Sequence, residues 1–112
     1  MTEMLLSSEF SKEYAKLQKQ AVNGQGEAKY LLKLIENGIA KLAKDREAGQ
    51  KIQRKLWPKT YVQKYGINNL WRLRLDDNNR MLYTILGEQV RIMTVILEVL
   101  NHREYDRRFG YK

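Results

Sequence analysis

The sequence predicts an α+β fold: an N-terminal antiparallel helical hairpin packed on a small, mainly antiparallel sheet of three to four strands. Three observations carry the prediction. Apolar residues recur at helical spacing in the first half, the period switches to two after Gly66, and turn-forming residues separate the periodic segments. Helices first and strands second is an α+β pattern rather than an alternating one.

Each element follows from its residues. Met4-Leu5-Leu6 is a short apolar run that suits a brief edge strand. Ser7 or Ser8 can cap a helix with Glu9 in its first turn, and Phe10, Tyr14, Leu17 and Ala21 then lie on one face. Asn23-Gly24-Gln25-Gly26 forms the turn. A second helix runs from about Glu27 to Glu47 on the stripe Leu31, Leu34, Ile35, Gly38 and Leu42, with Gly49 placed to end it. Residues 50–66 hold the only proline, dense lysines and two tyrosines, and read as an irregular connection within one domain, since Leu56 and Trp57 need burial. Trp71, Leu73 and Leu75 then alternate with Arg72 and Arg74 on a half-buried strand. Asp76-Asp77-Asn78-Asn79 turns the chain, Arg80 to Leu86 returns, Gly87-Glu88 turns again, and Val90 to Leu100 forms a third strand. Its segment Ile92–Leu97 is apolar on both faces, which places it inside the sheet with helices over one side.

At 112 residues the chain suits one domain over its full length, and two independent cores would be hard to fill. Apolar residues at 43% and charged residues at 30% exclude a disordered class. No apolar run reaches the roughly 18 residues of a membrane span. Met1 to Phe10 shows no basic segment followed by a long apolar stretch, so no secretory signal is expected. Cysteine is absent, which removes disulfides and thiolate chemistry and is compatible with a reducing cytoplasm. With one histidine, a His-rich metal site is not expected.

The net charge of +8 is polarised. Residues 1–49 hold eight Lys/Arg against seven Asp/Glu, whereas residues 50–112 hold thirteen against six. An excess confined to one half is the footprint of a phosphate-binding surface. No Gly-rich phosphate loop is present, because Gly24-Gln25-Gly26 lacks the lysine and the preceding strand, and one histidine supports no Ser–His–Asp triad. What remains is basic residues interleaved with aromatics. Arg72 and Arg74 share a strand, Arg80 opens the next and Arg91 the third, and the tail runs Asn101-His102-Arg103-Glu104-Tyr105-Asp106-Arg107-Arg108-Phe109-Gly110-Tyr111-Lys112.

Plainer roles suit the same residues. Arg72 and Arg74 fit the wet face of a strand, Arg80 a turn pair with Asp76 or Asp77, and His102 a packed or capping position. Glu98, alone on an apolar strand, fits a buried partner for one of these arginines. Phe10, Trp71 and Tyr83 suit the core, while Tyr105 and Tyr111, amid charges, suit base stacking. Hairpin parity is open as well. An even loop pairs residues of opposite parity, so Arg72, Arg74 and Arg80 share a face only through an odd loop or a bulge; otherwise Arg80 faces away.

The segments Asn69-Leu70-Trp71-Arg72-Leu73-Arg74-Leu75, Arg80-Met81-Leu82-Tyr83-Thr84-Ile85 and Val95–His102 together resemble the RelE/ParE toxin superfamily. The resemblance covers residues 50–112 closely and the helical hairpin in layout. Trp57-Pro58-Lys59, Tyr65-Gly66-Ile67 and the tail His102-Arg103-Glu104-Tyr105 resemble one sub-branch. It implies the toxin of a type II toxin–antitoxin pair that acts in the cytoplasm, with a cognate antitoxin protein as partner. The ribonuclease members cut messenger RNA on the ribosome and need no metal or small-molecule cofactor. By that resemblance Arg80 stabilises the transition state, His102 or Arg103 fills the C-terminal His/Arg position, and Tyr105 is the aromatic acid/base. Arg72 and Arg74 would hold phosphate, with Lys55, Lys59, Lys64, Arg107 and Arg108 extending the RNA-binding surface. The tail departs from the best-known ribonucleases in its His-x-x-Tyr spacing and in Phe109, where a later tyrosine is expected. Two alternatives follow: a gyrase-inhibiting toxin of the same fold, and a non-catalytic basic RNA- or ribosome-binding module.

Overall fold

The computed structural model describes residues 2–87 and 92–110. Strand β1 (Thr2–Leu6) leads into α1 (Ser8–Val22) and α2 (Gly26–Lys44). A two-residue strand β2 (Gln50–Lys51), a 3-10 turn (Arg54–Leu56) and α3 (Lys59–Tyr65) follow. Strands β3 (Trp71–Arg74), β4 (Asn79–Gly87) and β5 (Ile92–Asn101) then lead into α4 (His102–Phe109). The sheet has five strands in the order β1-β5-β4-β3-β2. Only β1 runs parallel to its neighbour; the other three pairings are antiparallel.

Both faces of the sheet are covered. The α1–α2 hairpin buries Phe10, Ile35 and Leu42 against Leu73, Met81, Tyr83 and Ile96. On the opposite face Tyr61 of α3 and Tyr105 of α4 pack with Ile52, Leu70, Leu82, Leu97 and Leu100. A bulge makes the second core possible: Leu82 pairs with Glu98 and Tyr83 with Ile96, so Leu97 is inserted and turns to the α3–α4 side. Ser7 caps α1 by accepting the Phe10 N–H at 3.1 Å, and its hydroxyl donates to the Leu97 carbonyl at 2.9 Å.

The α+β class and the hairpin-on-sheet arrangement are those the sequence predicts, and Met4–Leu6 lies in an edge strand. Four details differ. The sheet gains β2, the region 50–66 contains the helix α3 rather than only an irregular connection, and the basic tail, for which the sequence predicts no element, forms the helix α4. Helix α2 ends at Lys44 with Asp45 extended, short of Gly49. Gly49 serves a different need, because a Cβ there would lie 2.3 Å from the Arg72 carbonyl oxygen and 2.8 Å from the Tyr83 hydroxyl. The predicted turn residue Glu88, together with Val90, Arg91, Tyr111 and Lys112, lies outside the described residues.

Candidate functional site: an arginine cleft between the β3–β4 hairpin and α4

Register decides what the hairpin presents. Arg74 pairs with Arg80 and Arg72 with Leu82, so five residues separate Arg74 from Arg80 and the loop is odd. Arg72, Arg74 and Arg80 therefore share one face, opposite the face on which Leu73 and Met81 enter the hairpin-side core. Asp76 sets this loop: its carboxylate accepts the N–H groups of Asn78 at 2.9 Å and Asn79 at 2.7 Å. Burial works against ionisation of Asp76, but the hydrogen bonds from Tyr30, Asn78 and Asn79 prevail and hold its pKa below the usual value.

Two arginines directly opposite each other repel, and such cross-strand pairs cost stability. The heads are tethered apart by the turn. Arg74 pairs with the Asp77 carboxylate, and Arg80 Nη1 donates to the carbonyls of Asp76 at 2.8 Å and Asn79 at 3.2 Å. Arg72 is held more tightly. Its Nε and Nη2 donate to Gln50 Oε1 at 3.1 and 3.0 Å, and Nη1 donates to the Tyr105 hydroxyl at 2.5 Å. Tyr105 is 5% exposed and stacks on Phe109 with ring centroids 4.4 Å apart. It anchors α4 in the core and fixes Arg72 at once.

Helix α4 closes the cleft. Asn101 and Glu104 form a reciprocal capping box at its start, and the His102 N–H donates to Asn78 of the hairpin turn at 3.3 Å. One turn later, Asp106 places Oδ2 3.2 Å from His102 Nε2. The opposite wall is Ala48-Gly49-Gln50, held by Tyr83, whose hydroxyl accepts the Gly49 N–H at 3.1 Å and donates to the Arg46 carbonyl at 2.9 Å. Burial, chiefly, pushes the Tyr83 hydroxyl up to about 12. The open cleft so formed has a volume of about 570 Å³ and is lined by Arg72, Arg74, Arg80, His102, Tyr105 and Asp106. Three guanidiniums against one carboxylate suit an anionic ligand with spaced negative charges.

The remaining sequence-predicted residues lie elsewhere. Lys64 pairs with Glu9 of α1 at 2.5 Å. Arg108 donates to Glu98 at 3.0 Å, and Tyr61 donates to the same carboxylate, so the partner that Glu98 finds is Arg108 rather than a hairpin arginine. Burial and Glu98 together raise the Tyr61 pKa. Lys59 and Arg107 line a separate shallow groove with Pro58 and Glu104, Lys55 is exposed on the 3-10 turn, and Arg103 is exposed outside the cleft lining. A further groove of about 410 Å³ between α1, β5 and α4 carries four carboxylates against Lys12 and Arg108, the wrong charge balance for a phosphate chain. Sequence reading missed Asp106 and Gln50. Asp106 was detectable from its i,i+4 spacing to His102; Gln50 depends on a long-range strand pairing that no local pattern reveals.

Among the described residues no helix is long and apolar enough to cross a membrane. No curated protein matches the sequence. The solved structure of the YoeB/ParE toxin from Agrobacterium tumefaciens is similar, with a TM-score of 0.58 over 89% of this chain and 98% of that one at 12% identity, a likeness of fold. The family model of the ParE toxin of type II toxin–antitoxin systems matches residues 4–105. Nearly the whole chain is covered, with every cleft-lining residue except Asp106, and the chain belongs to this toxin family, within the RelE/ParE toxin superfamily.

Proposed function

We propose that this toxin is a ribosome-dependent endoribonuclease that cuts messenger RNA without a metal, in the cytoplasm, and is held inactive by its cognate antitoxin. The observation that carries the reading is the convergence of Arg72, Arg74 and Arg80 with the His102–Asp106 pair in one cleft. In such a reaction the RNA 2′-oxygen forms a bond to the adjacent phosphorus while the bond to the 5′-oxygen breaks. His102 is the candidate base for the 2′-hydroxyl proton: with Nε2 turned to Asp106, Nδ1 is the nitrogen that would accept it. Arg80 and Arg74 would face the charge that builds on the phosphate, and Arg72, set by Gln50 and Tyr105, would hold the neighbouring phosphate. Tyr105 acts first as the positioning residue for Arg72 and is the candidate proton donor to the leaving 5′-oxygen. Arg103, exposed beside His102, would guide the strand.

The match to a family described as ParE toxins favours a second reading, inhibition of gyrase as the superfamily's other branch does. Induction in a sensitive host separates the two. The nuclease reading expects growth arrest with truncated messenger RNA and intact chromosomal DNA, abolished by Arg80→Ala or His102→Ala in folded protein. DNA breaks with intact messenger RNA would establish the other. A non-catalytic module would bind RNA with steep salt dependence and leave it uncut.

A further inference from the structure

Beyond the arginine cleft, β2 and the 3-10 turn build a second surface. Trp57 is locked in place: its indole N–H donates to the Ile52 carbonyl at 2.8 Å, and the ring packs on the α3–α4 core. Side chains three apart eclipse in 3-10 geometry, and the Arg54 guanidinium lies over the Trp57 ring, 5.1 Å from its centroid. Arg54 is exposed and has no carboxylate partner among the described residues, in contrast to Arg74 and Arg108. The groove beside it is bounded by Lys51, Gln53 and Asn68, all exposed. Its volume of about 290 Å³ leaves room for a nucleobase. Along the chain the groove adjoins the cleft, because Gln50, which holds Arg72, and Lys51, which bounds the groove, are the two consecutive residues of β2.

We propose that Arg54, held over the Trp57 ring, is a stacking platform for one base of single-stranded RNA flanking the phosphates held in the cleft. Lys51 meets that nucleotide's phosphate, and the amides of Gln53 and Asn68 face the base edge. A guanidinium plane is a normal partner for an unstacked RNA base, and every base has a face to offer it. The platform makes the edge strand β2 a ruler between the reacting phosphate and one recognised base. The inference rests on the cleft being an RNA site, and its test separates the two.

The experiment measures binding of a short single-stranded oligoribonucleotide with 2′-O-methyl groups, which cannot be cut, and of the same strand carrying one abasic position at each site in turn. In the wild-type protein one abasic position weakens binding roughly 5- to 150-fold, the range for loss of one stacked base. Arg54→Lys keeps the charge and loses the plane, so it binds the unmodified strand as weakly as wild type binds the critical abasic strand, with an unchanged salt slope. Equal affinity of wild type for all abasic strands overturns the platform, as does an Arg54→Lys protein that still discriminates. Arg80→Ala reports on the cleft alone: if it binds as wild type does while Arg54→Lys fails, the platform stands and the cleft reading falls. Failure of wild type to bind any strand overturns both.

Discussion

Replacing Gly49 with alanine perturbs the wall of the cleft through backbone, and its cost can be worked out. The added Cβ would sit 2.3 Å from the Arg72 carbonyl oxygen and 2.9 Å from its carbon, about an ångström inside ordinary contact. The obstacle is a strand, so relief requires β2 and β3 to part at the Gln50–Arg72 pairing. Overpacking of this kind costs about 1–3 kcal/mol, and loss of the Gly49–Tyr83 hydrogen bond adds about 1 kcal/mol. The stiffer unfolded chain returns about 0.4–1 kcal/mol. The net loss is therefore about 1–3.6 kcal/mol. A chain of this length loses about 4 °C in Tm per kcal/mol, so thermal unfolding followed by circular dichroism should show a fall of roughly 4–14 °C. Under the proposed function, the looser hold of Gln50 on Arg72 should also lower RNA affinity in this variant at temperatures where it is folded. A Gly49→Ala protein melting within about 2 °C of wild type would refute the close approach.

Gly38→Ala is the contrasting case, since the new methyl meets only side-chain ends: those of Leu75 and Met81 at 2.6 and 3.2 Å, and that of Leu73 at an ordinary 3.5 Å. Those ends can swing, and alanine gains about 1 kcal/mol in helix propensity, so urea titration should place this variant within about 1 kcal/mol of wild type. Glu98→Gln removes the charge that Tyr61 and Arg108 share across α3, β5 and α4 and should cost about 1.5–3 kcal/mol, read from the urea midpoint at constant m-value. Tyr83→Phe should cost about 1–3 kcal/mol at neutral pH by stranding the Gly49 N–H and the Arg46 carbonyl. The Tyr83 pKa is raised from 10.0 to about 12 on folding, so its share of stability is whole below pH 10 and is lost as pH rises towards 12. The gap between wild type and Tyr83→Phe should accordingly be flat below pH 10 and shrink above it; a gap that widens there contradicts the assignment.

Much of the fold is legible in sequence where periodicity is long. The stripe through Phe10 and Tyr14, its counterpart through Ile35 and Leu42, and the alternation of β3 each predict an element that forms. Short elements are another matter. Helix α4 has eight residues and two buried-side aromatics at i,i+4, Tyr105 and Phe109, amid charges that mimic a loose tail. Its capping box, Asn101 with Glu104 three residues on, was the available signal. Helix α3 is flagged by Pro58 at its start and by Gly66 in the left-handed region at its end. Strand β2 has no local signature, because two residues pair only where β3 offers an edge. The arginines were visible as a set, but their common face hung on loop parity, which the Asp76 side chain decides. Lys64 and Arg108 could not be told from cleft residues by sequence, since a pairing with Glu9 or Glu98 is a fact of packing.

The most direct test of the account uses messenger RNA on a purified translating ribosome, with a single 2′-deoxy nucleotide at the position where the wild-type toxin cuts. Attack by the 2′-hydroxyl predicts cleavage of the all-ribose strand with a 2′,3′-cyclic phosphate end, no cleavage at the deoxy position, and no cleavage of either strand by Arg80→Ala. Cutting that continues at the deoxy position, or that survives in Arg80→Ala, would contradict the chemistry assigned to the arginine cleft.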